Sequence, residues 1–74
     1  MNKNAMKEII FLVEDDQEGG YLAKAMGESI FTQADTLQEL RELIKDAVYC
    51  HYPDEQNRPK LIHLHIVRDE VFAL

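Results

Sequence analysis

The hydrophobic period of this chain changes twice between residues 8 and 67, and that succession restricts the fold more than any other feature. The run Glu8-Ile9-Ile10-Phe11-Leu12-Val13 is compact, β-rich and closed by the acidic cluster Glu14-Asp15-Asp16. Its apolar residues alternate onto both faces, Ile9, Phe11 and Val13 on one and Ile10 and Leu12 on the other. A strand written this way is a central one, covered on both sides. Residues 16–20 end in Gly19-Gly20, and glycine is free to take positive φ, so the stretch reads as a hairpin loop. Residues 21–26 alternate again, with Tyr21, Ala23 and Ala25 opposite Leu22, Lys24 and Met26. Gly27-Glu28 interrupts them, and residues 29–33 form a short third strand.

The period then lengthens to that of a helix. Asp35 is a suitable N-cap, and Gln38 three residues later completes a capping-box pattern. Leu37, Leu40, Ile44, Ala47, Val48 and His51 share one stripe, while Gln38, Glu39, Glu42, Lys45, Asp46 and Tyr49 lie mostly opposite. The polar loop 53–59, bounded by two prolines, ends this helix. Residues 61–67 return to alternation, with Ile62, Leu64 and Ile66 on one face and Leu61, His63, His65 and Val67 on the other. The expected fold class is therefore α+β, in the order β-β-β-α-β, with one mixed sheet and a single helix packed on one face.

That layout carries a consequence for assembly. A helix joining two strands of one sheet covers only one of its faces, yet the first strand is apolar on both. A second copy of the chain is the simplest cover, so a homodimer or larger oligomer is expected, with Tyr21, His63, His65 and Val67 as candidate interface residues. The alternative is that Tyr21 or the apolar tail Val71-Phe72-Ala73-Leu74 folds back over the open face within one chain.

Seventy-four residues suffice for a single domain over 1–74, with a loose start at 1–6 and a tail or strand extension at 69–74. A core this small is often completed by a disulfide, a metal or a partner subunit. The lone Cys50 excludes an internal disulfide and fits the reducing cytosol, while no apolar stretch approaches the roughly 20 residues of a membrane span. A net charge of −6 argues against direct nucleic-acid binding, which needs a basic footprint, and suits a basic partner.

No constellation assembles into a catalytic site. Glu14, Asp15, Asp16 and Glu18 crowd one loop, whereas metal-dependent phosphoryl chemistry needs carboxylates converging from different elements. A set of Asp15, Glu39 or Glu42, and Asp69 would supply a minimal metal-dependent nuclease, but the helix glutamates project away from the sheet. His63 and His65 point the same way on one strand, without a Cys or carboxylate partner at ligand spacing. His51 is explained by its place at a helix end, and Cys50 reads as a half-buried packing residue. No catalytic residue, metal site or cofactor is assigned.

The segments Gly20-Tyr21-Leu22-Ala23, Phe31-Thr32-Gln33-Ala34-Asp35-Thr36-Leu37, Glu39-Leu40 and Ile44-Lys45-Asp46-Ala47-Val48 resemble the HicB-like antitoxin domain. That family places a Gly-Tyr-x-Ala strand, a Thr-Gln-Gly-Asp-Thr turn and an acidic-apolar helix in the same order. Ala34 stands here in place of the turn glycine. The resemblance implies a partial ribonuclease-H-like fold and a protein that neutralises a small basic toxin cleaving messenger RNA. Members of that family typically carry a C-terminal DNA-binding segment, and this chain is expected to be a short member that departs from the pattern in lacking it. On this reading Asp15, Asp16, Glu18, Glu39, Glu42 and Asp46 meet the basic partner. The alternative is a free-standing oligomeric module with no toxin partner.

Overall fold

The computed structural model describes residues 7–74, so the expected loose start at 1–6 lies outside the described residues. Its elements are β1 (Glu8–Asp15), β2 (Tyr21–Ala25), β3 (Phe31–Ala34), α1 (Leu37–His51), a 3₁₀ turn (Glu55–Asn57) and β4 (Leu61–Val67). One sheet carries all four strands in the order β3-β2-β1-β4. β1 pairs antiparallel with β2 and parallel with β4, and β2 pairs antiparallel with β3. This is the mixed α+β arrangement expected from the change of period, with the doubly apolar strand inside the sheet.

Register sorts the side chains onto two faces. Phe11 is level with Ala25 and Leu64, and Val13 with Ala23 and Ile66, so these residues share the helix-covered face. Leu12 is level with Lys24 and His65, and Ile10 with His63, on the opposite face. The core is built from Ile9, Phe11, Val13, Ala23, Ala25 and Ile30 against Leu40, Ile44 and Val48. Small alanines on β2 let the helix approach closely, while Phe11, Leu40, Ile44 and Val13 are the largest fully buried side chains. No polar or charged residue is buried among the described residues.

Several expectations shift by a residue or two, each for a local reason. β1 runs on to Asp15, because Glu14 and Asp15 keep their pairing with Leu22 and Tyr21 up to the glycine pair. β3 starts only at Phe31, since the Ile30 carbonyl accepts from Ala25 N–H at 2.9 Å and closes the turn through Gly27. The helix cap is Thr36 rather than Asp35: Thr36 has extended backbone (φ −129°, ψ 159°), and its hydroxyl accepts from Glu39 N–H at 3.0 Å. Cys50 is exposed rather than half-buried, because two residues beyond Val48 a helix has turned its side chain away from the core. His51 likewise leaves the buried stripe, and its Nε2 stands 3.2 Å from Glu28 Oε1.

The helix ends in a dense polar closure. Tyr52 N–H donates to the Val48 carbonyl at 2.9 Å. Arg58 folds back from the following loop, donating to the carbonyls of Tyr52 (3.0 Å) and Pro53 (3.1 Å) while its guanidinium lies 4.3 Å from the Tyr49 ring centroid. Burial, joined by the charge of Glu28 and a hydrogen bond to it, pushes the Tyr52 phenol above its ordinary value of 10.0. The folded chain thus holds this proton more tightly than the unfolded chain. The associated stability is complete below about pH 10 and is lost as pH rises through the folded value. A phenolate-absorbance titration should contain a late component that disappears in Tyr52→Phe; an unchanged titration curve would contradict the placement.

One polar atom is left over. The hydroxyl of Thr32, on the covered face opposite Ala23, is shut off from solvent with no hydrogen-bond partner among the described residues. An unpaired buried hydroxyl costs about 1–3 kcal/mol, and valine has nearly the same shape with good strand propensity. Thr32→Val should therefore raise stability by about 1 kcal/mol. A urea midpoint that stays put or falls would refute the assignment.

Candidate functional site

The six carboxylates expected to meet a partner come from two elements, and glycine geometry brings those elements together. The loop after β1 is tied by Asp16 N–H to the Gly20 carbonyl (3.0 Å), Gly19 N–H to the Asp16 carbonyl (2.9 Å) and Glu18 N–H to Asp16 Oδ1 (3.2 Å). Gly19 and Gly20 both take positive φ, 100° and 86°. A Cβ on Gly20 would lie 2.6 Å from the Ala34 carbonyl oxygen and 3.2 Å from Asp35 Cα. The acidic loop therefore rests directly against the residues that lead into α1. Asp15 also faces the tail, with Arg68 Nε 3.9 Å from its Oδ2.

Glu39, Glu42 and Asp46 follow one another at three- and four-residue intervals on the exposed side of α1. Glu42 stands 3.9 Å from Lys45 Nζ, an exposed pair of small energetic weight. Glu39 and Glu42 line a wide, shallow depression of about 850 Å³ together with Gln33, Asp35, Gln38 and Leu43. Its floor is the junction of β3 and α1, and β3 is an edge strand. The depression joins carboxylates, an exposed leucine (Leu43, 42% exposed) and a strand edge with unpaired backbone groups. Asp46 does not line it.

Three members of this surface were not singled out from the sequence. Sequence pattern favours Asp35 as the cap, but the cap is Thr36, which leaves the Asp35 carboxylate at the rim. Gln33 belongs to an alternating strand with nothing unusual about it. Leu43 did carry a signal, an apolar residue on the polar side of an otherwise well-sorted helix.

The candidate self-association residues separate. His63, His65 and Val67 lie on the open face, as the alternation of their strand implies. Tyr21 lies on the helix-covered face, partly buried against the core, because its register partners are Asp15 and Ala34 and its strand mates are Ala23 and Ala25. Tyr21 therefore does not cover the open face, and the tail does not either: Val71 is 95% and Phe72 79% exposed. The open face presents Met26, Phe31 and Leu61, all well exposed. His63 Nδ1 stands 2.9 Å from Glu8 Oε2, a diagonal cross-strand pair that occupies the imidazole. Among the described residues, no group of three or more His, Cys, Asp or Glu side chains gathers in metal-binding geometry. No helix among them is long and apolar enough to cross a membrane.

The acidic surface depends on the close approach at Gly20. Gly20→Ala meets both a backbone oxygen and positive φ, whereas Gly19→Ala meets open space and positive φ only. Left-handed backbone costs a non-glycine residue about 1–2 kcal/mol, so Gly19→Ala should lose about that much and Gly20→Ala clearly more. Equal losses in denaturant melts of the two variants would contradict the contact.

No family model matches the chain, and no solved structure does. Two curated relatives do. A protein of Thermotoga maritima named UPF0150 protein is 46% identical over 68 residues, covering 92% of this chain and 94% of its own length. A second UPF0150 protein, from Archaeoglobus fulgidus, is 58% identical over 53 residues, which is 72% of this chain and 77% of its own length. Identity at this level over more than two thirds of each chain shows that the protein belongs to the UPF0150 family.

Proposed function

We propose that this chain is a non-catalytic, cytoplasmic protein-binding module of HicB-like, antitoxin type. It binds a small basic protein through its acidic side and associates with itself through the open face of its sheet. The observation that carries the reading is the depression beside β3, where Asp35, Glu39 and Glu42 surround exposed Leu43 along a free strand edge. Carboxylates at such a place steer and orient a cationic partner, and the leucine and the strand edge give it something to hold. The order β-β-β-α-β agrees with what the resemblance to HicB-like domains implies. The adjoining loop with Asp15, Asp16 and Glu18 extends the same field, and Asp46 lies further along α1. On the other face, Met26, Phe31 and Leu61 are exposed on the same sheet surface as His63, His65 and Val67, the composition of a surface that meets a second copy.

A basic toxin would be bound mainly through charge, so its retention should depend on salt. The tagged chain is purified from its host at moderate and at high salt, beside the double variant Glu39→Gln/Glu42→Gln. A small basic protein that is kept at moderate salt, shed at high salt and bound at least about tenfold more weakly by the variant supports the reading, a loss of about 1.4 kcal/mol. Recovery of the chain alone, or a partner indifferent to the variant, removes it in favour of a free-standing oligomeric module.

A further inference from the structure

A second apolar surface lies on the helix side of the sheet, beyond the reach of α1. The helix packs over β3 and β2, so β4 at the far edge is left uncovered on the same face. Ile62 is 37% and Ile66 49% exposed there, although their register partners Ile9 and Val13 are buried. Between α1 and β4 runs a groove of about 330 Å³, walled by Leu37 and Ile44, floored by Ile62, Leu64 and Ile66, and rimmed by Arg41 and Lys45. Arg41 makes no ion pair among the described residues, and Lys45 only the long one to Glu42.

The same chain carries a segment of matching chemistry. After Val67 the backbone leaves the sheet and continues as Arg68-Asp69-Glu70-Val71-Phe72-Ala73-Leu74, without secondary structure and fully exposed. In an extended conformation Glu70, Phe72 and Leu74 share one side. An acid followed by two large apolar groups at this spacing complements a groove with a basic rim and an aliphatic floor. The tail also has β4 beside it as an edge strand with free backbone groups.

Geometry disfavours the tail's own groove. The groove extends along β4, and the tail departs from the Val67 end of that strand, so self-insertion needs a tight reversal immediately after it. Residues 68–71 contain no Gly or Pro and only Asp69 favours a turn, while Arg68 reaches instead toward Asp15 at the end of β1. Residues 68–74 span about 23 Å when extended. Extended, the tail has ample length to reach a neighbouring molecule.

We propose that the tail of one chain seats in the α1–β4 groove of a second copy, and reciprocally, as a two-fold exchange. Glu70 meets Arg41 and Lys45 at the rim, and Phe72 and Leu74 cover Ile62, Leu64 and Ile66. This surface is separate from both the acidic depression and the open face, so the inference stands or falls apart from the proposed function.

Interchain cross-linking of the full chain tests it, with Cys50→Ser as background because Cys50 is exposed. One batch carries Arg41→Cys, and the other carries Glu70→Cys with a different tag. After mixing under mild oxidation, a disulfide joining the two tags is expected. Adding Phe72→Asp to the tail-bearing chain should cut its yield at least about tenfold, the effect of about 1.4 kcal/mol. Phe72 lies outside the packed core, so circular dichroism should show an unaltered fold. No mixed disulfide, or one indifferent to Phe72→Asp, overturns the proposal. So does a chain with both cysteines that closes on itself at high dilution, which would place the tail in its own groove.

Discussion

A single helix is narrower than the sheet it must cover. A helix with its side chains is about 10 Å across, while four strands at about 4.8 Å spacing present nearly twice that width, and the sheet has two faces. Most of what distinguishes this molecule follows from that shortfall. α1 lies over the β2–β3 half, where Ala23 and Ala25 let it come close, and it completes the core with Leu40, Ile44 and Val48. β1 is buried on the helix side because it is central. β4 lies outside the helix's reach, so equivalent aliphatic residues are buried on one strand and exposed on the next.

The uncovered regions differ in chemistry. The open face mixes Met26, Phe31 and Leu61 with Lys24 and a histidine–glutamate pair, which gives an amphipathic sheet surface. The groove beside β4 is aliphatic with a basic rim, and the depression beside β3 is acidic with one leucine. A net charge of −6 is therefore unevenly spread: Arg41 and Lys45 of α1 face β4, and its Glu39 and Glu42 face β3. One helix thus presents opposite signs to the two edges of the sheet. Such an arrangement allows different partners on the two edges without direct competition.

Local chemistry made much of this legible in advance. The alternation of Ile9 through Val13, the Gly19-Gly20 pair and the stripe Leu37-Leu40-Ile44-Val48 each report a short-range constraint that tertiary packing has no cause to override. The cap differs by one residue from the sequence expectation because Asp35 and Thr36 are both good caps, and only backbone dihedrals choose between them. Cys50 departs from the expected half-burial because its distance from Val48 along the helix, not its polarity, decides its exposure. Tyr21 lies apart from the histidines, on the face its alternation shares with Ala23 and Ala25. The strand period alone does not say which of its faces the helix will choose.

The sequence by itself determined the elements, their order and which residues share a face, because period, turns and caps are properties of a few neighbouring residues. Only the tertiary structure decided that β4 is an edge, that the helix favours the far half of the sheet, and that the acidic loop leans on Asp35 through Gly20. Those outcomes depend on strand pairing and close approach between residues distant along the chain. Periodicity carries no record of either.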